Sequence, residues 1–342
     1  MKTLITITLA VILSAPGFSQ YRDSSDFYLK KANAYRYERR TQQALNFYEK
    51  AVQFDVTNVS ALKAMGEYAL EIRNYRHAIN AFSRWHELEP TNDVTIQQLA
   101  TIYYQLGKYA DALSFTKKWE QLHADKPMHF IAGMSYYYQE DFVNAINRLL
   151  HAKETDSTNA VLYYTIGRSY VELDRYEKAI PFYQMAALIE SSNARYAYEL
   201  ALVYYAVPDD KNAIASFEMA AKRGWVQNAD YFENLAHCYM NTGNFNKATE
   251  LLQTSLEKRP YNIAVTYTLG ESFYRNAKYQ DAINTWDQVL QMDTKNARSL
   301  YMIGITYQKM GEKEKGTAIC EKAIQMDPSL GGLKQKKIDL GM

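Results

Sequence analysis

The side chains best suited to chemistry are spread through this sequence without the spacing that catalysis or metal binding requires. No two histidines stand four residues apart with a glutamate between them, as in zinc peptidases, and no Cys-x-x-Cys pair occurs. Neither a Gly-x-Ser-x-Gly motif nor a glycine-rich phosphate loop is present. The sequence therefore predicts no catalytic residue, no bound metal and no cofactor. The histidines are His77, His86, His123, His129, His151 and His237.

Charge and composition exclude some partners and leave one feature to explain. The chain has 39 basic and 38 acidic residues, so its net charge is close to zero. A neutral chain without a basic stripe is a poor nucleic-acid binder by bulk electrostatics, and we expect no nucleic-acid partner. Only 7 prolines and 14 glycines occur, which favours a folded chain with little coil. The 30 tyrosines are a clear excess that the fold or the function must use.

The first residues have the pattern of an export signal. Lys2 precedes an apolar run at residues 4–13, which Pro16 ends. A run of this length is too short to cross a bilayer, which takes about 20 residues. We predict a signal peptide over residues 1–19 and a periplasmic or secreted protein, with a short N-terminal segment at residues 20–24. The alternative is a buried N-terminal helix.

An internal repeat organises the rest of the chain. A small residue recurs at steps of 33 to 35 residues: Ala44, Ala78, Ala112, Ala145, Ala179, Ala213, Ala248, Ala282 and Gly316. A second ladder keeps the same steps: Ala32, Gly66, Ala100, Gly133, Gly167, Ala201, Ala236, Gly270 and Gly304. An aromatic residue follows each member of the second ladder three positions later, except at Ala69: Tyr35, Tyr103, Tyr136, Tyr170, Tyr204, Tyr239, Phe273 and Tyr307. Two ladders in phase indicate stacked repeats, each of which needs its neighbours to bury its apolar face.

Each repeat has the pattern of two helices joined by a turn. Apolar residues recur at helical spacing on both sides of turns that contain Gly107, Gly243 or Gly311. The small residues let the two helices approach closely, and we expect the aromatic residue to fill the space between one hairpin and the next. Asparagines before the next helix are predicted N-caps: Asn58, Asn92, Asn159, Asn262 and Asn296.

This pattern is similar to that of the tetratricopeptide repeat family. Gly133-x-x-Tyr136 with Phe142-x-x-Ala145 carries the resemblance well, and Pro90 matches the family's closing proline. The resemblance covers about residues 25–330 and implies an all-α, right-handed superhelical solenoid of about nine helix hairpins. The predicted repeats, numbered one to nine, are residues 25–58, 59–92, 93–125, 126–159, 160–193, 194–228, 229–262, 263–296 and 297–330.

Some positions depart from the family pattern. Pro181 lies within a second helix and is expected to kink it. Gly316 replaces alanine, which predicts a looser, capping ninth repeat. Residues 331–342 are predicted to form a tail or short capping helix after a break at two glycines. Cys238 and Cys320 fall two repeats apart, beyond the ~7 Å between Cα atoms that a disulfide allows, and are predicted to be unpaired core residues.

The resemblance also implies where a ligand would bind. In this family the first helix of each repeat lines the inner face of the superhelix. The register predicts a tyrosine-rich groove in repeats three to six that resumes in repeats eight and nine, with Asp230, Glu233 and His237 of repeat seven interrupting it. The predicted groove residues are Tyr104, Phe130, Met134, Tyr137, Tyr138, Tyr164, Arg168, Tyr198, Tyr205, Tyr267, Tyr274, Arg275 and Tyr301.

A known binding mode of the family is not favoured here. Some members hold peptide C-termini with a clamp of groove lysines and asparagines. Leu29, Asn33, Lys63 and Glu67 stand at the comparable places. They do not form a clamp, because Glu67 would repel a carboxylate.

Two interpretations of the groove tyrosines remain open. Tyrosine gives large, rigid contact area at binding surfaces, but it also packs between repeats. For function, the sequence favours a non-enzymatic scaffold or adaptor of the cell envelope that binds a segment or helix of a partner protein. The alternative is a glycan-binding accessory protein of an envelope polysaccharide system, since tyrosine faces stack on sugar rings. Oligomeric state is left open.

Overall fold

The computed structural model describes residues 16–334, and every regular element in that range is a helix. The chain divides between Glu154 and Thr155 into two compact units. The helices up to the division are α1 (Pro16–Tyr37), α2 (Thr41–Phe54), α3 (Val59–Glu71), α4 (Tyr75–Leu88), α5 (Asp93–Gln105), α6 (Tyr109–Leu122), α7 (His129–Tyr138) and α8 (Phe142–Thr155).

The second unit continues the alternation of helix pairs. Its helices are α9 (Ala160–Val171), α10 (Tyr176–Ile189), α11 (Ala194–Ala206), α12 (Asp210–Lys222), α13 (Ala229–Asn241), α14 (Phe245–Lys258), α15 (Ile263–Arg275), α16 (Tyr279–Met292), α17 (Ala297–Lys309) and α18 (Lys313–Met326), followed by the 3-10 helix Pro328–Lys334. The prediction of an all-α helical repeat is confirmed.

Asparagine side chains cap the N-terminus of the first helix in most repeats. Asn58 Oδ1 accepts a hydrogen bond from the Ala61 N–H at 3.0 Å, and Asn296 does the same for Ser299. Such a cap satisfies one of the free N–H groups at the start of a helix. All five predicted N-caps are confirmed, and Asn193 and Asn228 are two further caps that the sequence pattern missed.

The turn between the two helices of a repeat places one residue in the left-handed region. Gly107, Gly243 and Gly311 have φ values of 71°, 80° and 95°. Asp174 and Ala277 stand at the same position of their repeats with φ values of 54° and 55°. A residue with a side chain is strained in this conformation, and alanine is strained more than aspartate.

The recurring small residues lie where the two helices of a repeat touch. The alanines of both ladders are fully buried. A Cβ added to Gly167 would lie 2.9 Å from Tyr183 Cδ2, and one added to Gly270 would lie 2.5 Å from Trp286 Nε1. A larger residue on the first helix would therefore displace a large side chain of the second helix. The close approach predicted from the ladder is confirmed.

The aromatic ladder follows the prediction only in part: Tyr239 donates a hydrogen bond to Glu218 of the preceding repeat, but three other members stack within their own hairpin. Tyr35 stacks on Phe47 with ring centroids 5.1 Å apart and the planes 3° from parallel. That phenylalanine belongs to the second helix of the same repeat, so the pair closes its own hairpin rather than the gap to the next one. Two other repeats contain the same stack, Tyr103 on Phe115 and Tyr170 on Phe182.

The ninth repeat is closely packed, so the prediction that it is looser is wrong. A Cβ on Gly304 would lie 2.8 Å from the Gly316 carbonyl oxygen, and one on Gly316 would lie 2.5 Å from the Gly304 carbonyl oxygen. Because neither residue has a side chain, the backbones of the two helices meet directly. Replacing alanine by glycine at position 316 therefore tightens the hairpin.

The described helices extend beyond the predicted repeats at both ends. Helix α1 is described from Pro16, so residues 16–24 are helical. Most of the predicted signal peptide lies outside the described residues and stays a prediction. At the other end the 3-10 helix runs through the two glycines predicted to break the chain, because buried Leu330 packs on Cys320 and Ala323. The remainder of the predicted tail lies outside the described range.

Three smaller expectations concern single residues and membrane crossing. Helix α10 continues without interruption through Pro181. Cys238 and Cys320 are both buried, which confirms that they are core residues, and no disulfide joins them. Among residues 16–334, no helix combines the length and the apolar character needed to cross a membrane.

Candidate binding surface

The structure separates the predicted groove residues into two sets and buries three of them. The first unit holds Tyr104, Phe130, Met134, Tyr137 and Tyr138, and the second holds Tyr164, Arg168, Tyr198, Tyr205, Tyr267, Tyr274, Arg275 and Tyr301. Met134, Tyr274 and Tyr301 are at most 9% exposed. For these three the prediction of an open surface is wrong, because their side chains fill the helix core; Tyr274, for example, packs against Trp286.

In the first unit, five aromatic side chains form a tyrosine patch: Tyr104, Tyr109, Tyr137, Tyr138 and Phe142. The rings of Tyr109 and Tyr138 stack with centroids 4.8 Å apart, and Tyr104 and Tyr137 continue the contacts at 6.3 Å and 5.3 Å. Tyr137 also meets Phe142 edge-on. Tyr138 is 51% exposed, so the patch presents aromatic surface to solvent. Phe130 is half-buried and lies at the start of α7, the helix that carries Tyr137 and Tyr138.

In the second unit, a cavity of about 560 Å³ opens among the helices of repeats five and six. This volume lies within the range of about 300–1,000 Å³ that is usual for ligand pockets. Three helices and the loop after α12 contribute its walls. The lining residues are Arg168, Val171, Glu172, Tyr176, Tyr183, Arg195, Tyr198, Glu199, Leu202, Val203 and Trp225.

One wall of the cavity is a hydrogen-bond network, the Glu199 corner, made of Tyr164, Tyr183, Arg195 and Glu199. The Tyr164 hydroxyl donates to Glu199 Oε1 at 2.7 Å, and the Tyr183 hydroxyl donates to Oε2 at 3.1 Å. Arg195 Nε donates to Oε1 at 2.7 Å, and its guanidinium lies over the Tyr164 ring. The Glu199 side chain is only 19% exposed. Both carboxylate oxygens are therefore occupied, and the arginine is held in one orientation.

Burial and charge keep the phenols of this corner protonated. Burial raises the pKa of Tyr164 and Tyr183 far above the ordinary value, and the nearby Glu199 carboxylate raises both further. The hydrogen bond to Glu199 likewise raises the pKa of the Arg195 guanidinium. These groups stay donors across the physiological range. The network therefore fixes the geometry of this wall.

Another part of the cavity lining is aromatic. The rings of Tyr198 and Trp225 stack with centroids 4.1 Å apart and planes 15° from parallel, and Phe217 meets Tyr198 edge-on at 5.7 Å. Burial raises the pKa of Tyr198. Trp225 Nε1 is buried and has no hydrogen-bond acceptor. Large aromatic side chains in a partly open pocket are the residue types that dominate binding energy at protein interfaces.

Repeat seven carries the acidic residues that were predicted to interrupt the groove, and an arginine pairs with them. Arg259 Nη2 donates to Asp230 Oδ1 at 2.5 Å and to Glu233 Oε1 at 2.8 Å. Ser255 also donates to Glu233. His237 is half-buried. These carboxylates are therefore held within their own repeat.

Repeats eight and nine contain a second tyrosine–arginine pair, here called the Met302 corner: Tyr267, Trp286, Arg298 and Met302. The Arg298 guanidinium lies 4.8 Å from the centroid of the Tyr267 ring. Trp286 Nε1 donates to the Tyr267 carbonyl oxygen at 3.1 Å, and the indole is fully buried. Met302 has the repeat position that Glu199 has in repeat six. This corner therefore presents an arginine on a phenol without a carboxylate beneath it.

Sequence reasoning placed Tyr164, Arg168 and Tyr198 at the cavity or its wall and missed the residues that complete it. The register omitted Arg195 and Glu199, although their spacing of four residues on one helix indicates an ion pair on a common face. Trp225 stands at the repeat position of Pro90, the family's closing proline. An aromatic residue at a position where the family has proline was the signal that could have found it.

The clamp positions and the metal-binding residue types considered from the sequence do not form a binding site in the described chain. Lys63 pairs with Glu67 at 4.0 Å, and Asn33 accepts a hydrogen bond from Tyr48, so the clamp positions serve the repeat itself. Within residues 16–334, no group of three histidine, cysteine, aspartate or glutamate side chains is arranged to hold a metal ion.

Comparison with known families matches the repeat pattern. A tetratricopeptide repeat model matches residues 25–55, 160–193 and 297–330, and a model described as anaphase-promoting complex, cyclosome, subunit 3 matches residues 71–152 and 209–289. The chain belongs to the tetratricopeptide repeat family. Proteins of this family are interaction scaffolds that bind other proteins or peptides.

Individual relatives are distant. The human intraflagellar transport protein 88 homolog is 26% identical over 96 residues, which span 27% of this chain and only 12% of that protein. Among solved structures, YrrB, described as a TPR protein with an unusual peptide-binding site, is 25% identical and aligns with 56% of this chain and 98% of its own, with a TM-score of 0.47. The APC/C hetero-tetramer Cut9-Hcn1 is 15% identical over 89% of this chain and 67% of its own, with a TM-score of 0.36.

Proposed function

We propose that this protein is a non-enzymatic scaffold of the cell envelope that binds a segment of a partner protein at the cavity of repeats five and six. The observation that carries the proposal is that the Tyr198–Trp225 stack and the hydrogen-bonded Arg195 line the same cavity of about 560 Å³. A pocket with an apolar wall and a few fixed polar groups is the usual design of a specific binding site. The family's role in protein binding supports the same choice.

The test places a photo-crosslinking residue at Leu202, which lines the cavity, and a matched control at Leu188, which is 70% exposed on α10. We expect crosslinks to one or a few defined proteins from Leu202 and not from Leu188. Tyr198→Ala with Trp225→Ala should abolish those crosslinks, whereas Tyr109→Ala with Tyr138→Ala should preserve them. Equal crosslinking from both positions, or crosslinks that survive the cavity variant, would refute the proposal.

The cellular location is proposed from the sequence alone. The apolar run at residues 4–13 and the small residues before residue 20 support export. Fractionation of cells that express the tagged full-length chain should recover it in the envelope fraction with Gln20 as its first residue. Recovery in the cytosol with the first residues intact would contradict export and leave the binding proposal standing.

Glycan binding is the second candidate, and the tyrosine patch of the first unit favours it. Tyr138 offers an exposed ring beside the stacked ring of Tyr109, a surface on which a sugar face can lie. Isothermal titration with envelope polysaccharides should then give heat that Tyr109→Ala with Tyr138→Ala removes. The absence of heat with every glycan tested would reject this candidate.

A further inference from the structure

The carboxylates around the cavity of repeats five and six accept hydrogen bonds from other side chains of the protein. Glu199 accepts three hydrogen bonds through its two carboxylate oxygens, and Glu172 accepts from Arg168 at 3.3 Å. The Tyr176 hydroxyl donates to Asp174. The carboxylates that could attract a basic ligand are thus already engaged by donors of the protein.

Some hydrogen-bond donors at the cavity have no acceptor in the protein. Arg195 uses only Nε in its bond to Glu199, so its two Nη groups keep their N–H donors, and the side chain is 55% exposed. Trp225 Nε1 also lacks an acceptor, but it is buried. The exposed Nη groups of Arg195 are therefore the donors that a ligand acceptor can reach. The cavity therefore offers a ligand hydrogen-bond donors, whereas its carboxylate acceptors are already engaged.

The exposed charge of the corner is positive. Glu199 is 19% exposed and Arg195 is 55% exposed, so the pair shows solvent its guanidinium and conceals its carboxylate. Asp230 and Glu233 of the next repeat are held by Arg259. A guanidinium fixed at Nε presents its Nη atoms as a fork, which is the geometry that binds carboxylates in a bidentate manner.

The remaining wall selects for apolar character. Val171, Leu202 and Val203 line the cavity beside the Tyr198–Trp225 stack. A side chain that fills this space gains from removal of apolar surface from water. The same ligand must then offer both an apolar side chain and an acceptor within reach of Arg195.

We propose that the cavity recognises a partner segment in which an apolar or aromatic side chain stands next to an acidic one, with the carboxylate bound by Arg195 and the apolar side chain lying on Tyr198 and Trp225. This inference rests on the proposed function and adds the chemistry of the partner. Arg298 of the Met302 corner has the same repeat position but no carboxylate that orients it, and it serves as the internal control.

The experiment measures fluorescence anisotropy of labelled ten-residue peptides in a Gly/Ser background, each with a central Phe followed by Asp, Asn or Lys. The full-length protein should bind the Asp peptide about tenfold more tightly than the Asn peptide, as one charged hydrogen bond allows, and the Lys peptide least. Added salt should weaken the Asp peptide most. Arg195→Gln should remove the preference, Arg195→Lys should retain part of it, and Arg298→Gln should leave it unchanged.

The outcomes separate the two proposals. Equal affinity for the three peptides, or a preference lost equally in Arg298→Gln, would overturn acidic recognition, and crosslinking from Leu202 would still support a bound partner. A failure of all three peptides to bind would also overturn it. A circular dichroism melt that matches the unaltered protein shows that Arg195→Gln and Arg195→Lys are folded. If Arg195→Gln unfolds, the decision rests on Arg195→Lys and on the salt dependence of the unaltered protein.

Discussion

The Glu199 corner and the Met302 corner show how one repeat position can be stabilised in two ways. Both place a tyrosine under an arginine from the next repeat and put a large buried side chain beside it, Tyr183 in one and Trp286 in the other. In the first corner three donors converge on one carboxylate, whereas in the second an indole fills the space. Packing can therefore replace a polar network at this position, but only the network orients its arginine.

The largest expected effect tests the packing side of this comparison. Trp286 is fully buried, so Trp286→Ala should lower the free energy of unfolding by about 3–5 kcal/mol. Tyr183→Phe, which removes only a hydroxyl from the other corner, should cost about 1 kcal/mol. Urea titration followed by circular dichroism measures both. Equal losses would show that the two corners do not differ in the way proposed.

The next effect tests the network. Glu199→Leu leaves the hydroxyls of Tyr164 and Tyr183 without their shared acceptor and should cost about 1–3 kcal/mol. Met302→Leu, the matched change in the other corner, conserves volume and should cost less than about 1.5 kcal/mol. The same urea titration decides. A Glu199→Leu protein as stable as the unaltered one would mean that the network adds no stability.

The pH dependence of stability should also differ between the corners. Burial raises the folded pKa of Tyr164 and Tyr183 above the unfolded value of about 10, so the stability that they contribute is present below pH 10. It is lost as pH rises further, by about 1.4 kcal/mol per pH unit for each tyrosine, because the unfolded chain releases the proton first. Thermal melts between pH 9 and about 11 should show a slope that Tyr164→Phe with Tyr183→Phe reduces.

Tyr267→Phe is the control for that slope. Burial raises the pKa of Tyr267 as well, but nearby Arg298 lowers it, and no carboxylate accepts from its hydroxyl as Glu199 does in the other corner. Its removal should therefore reduce the slope less than the double change does. A larger reduction from Tyr267→Phe would reverse the proposed ranking.

The smallest effect concerns the turns that precede the two large side chains. Ala277 and Asp174 hold the same left-handed position, with φ values of 55° and 54°. Ala277→Gly should stabilise the protein by up to about 1 kcal/mol, because glycine adopts this conformation without steric cost. Asp174→Gly should gain less, since aspartate tolerates the region better. A shift in the melting temperature checks both, and a loss from Ala277→Gly would show that the turn is not strained.

The sequence predicted the fold well because the fold follows from periodic, local rules. Small residues at fixed steps, asparagine caps such as Asn58 and glycine turns such as Gly243 each have one dominant structural meaning. The candidate site was harder to predict, because it depends on which way a side chain points from its helix. Tyr301 and Tyr198 look equivalent in the register, yet one is buried and the other lines the cavity.

The errors in the site share a physical cause. Register assigns a helix face, but neighbouring side chains decide how much of that face is covered. Trp225 lies outside any helix and was visible only as an unusual replacement for proline. Tyr164, Tyr183 and Arg195 meet at a single carboxylate, that of Glu199, which lies on the helix of Arg195 but on a different helix from either tyrosine. Such a convergence requires coordinates.

The glycine contacts of the second ladder have an evolutionary consequence. Gly167 faces Tyr183 and Gly270 faces Trp286 at distances that leave no room for a methyl group. A larger side chain at one position of a pair fits only if the side chain at the other position is smaller. The two positions of each pair should therefore change together among homologous sequences. Coordinated exchange at 167 with 183, and at 270 with 286, would then record where the helices of an ancestral hairpin touched.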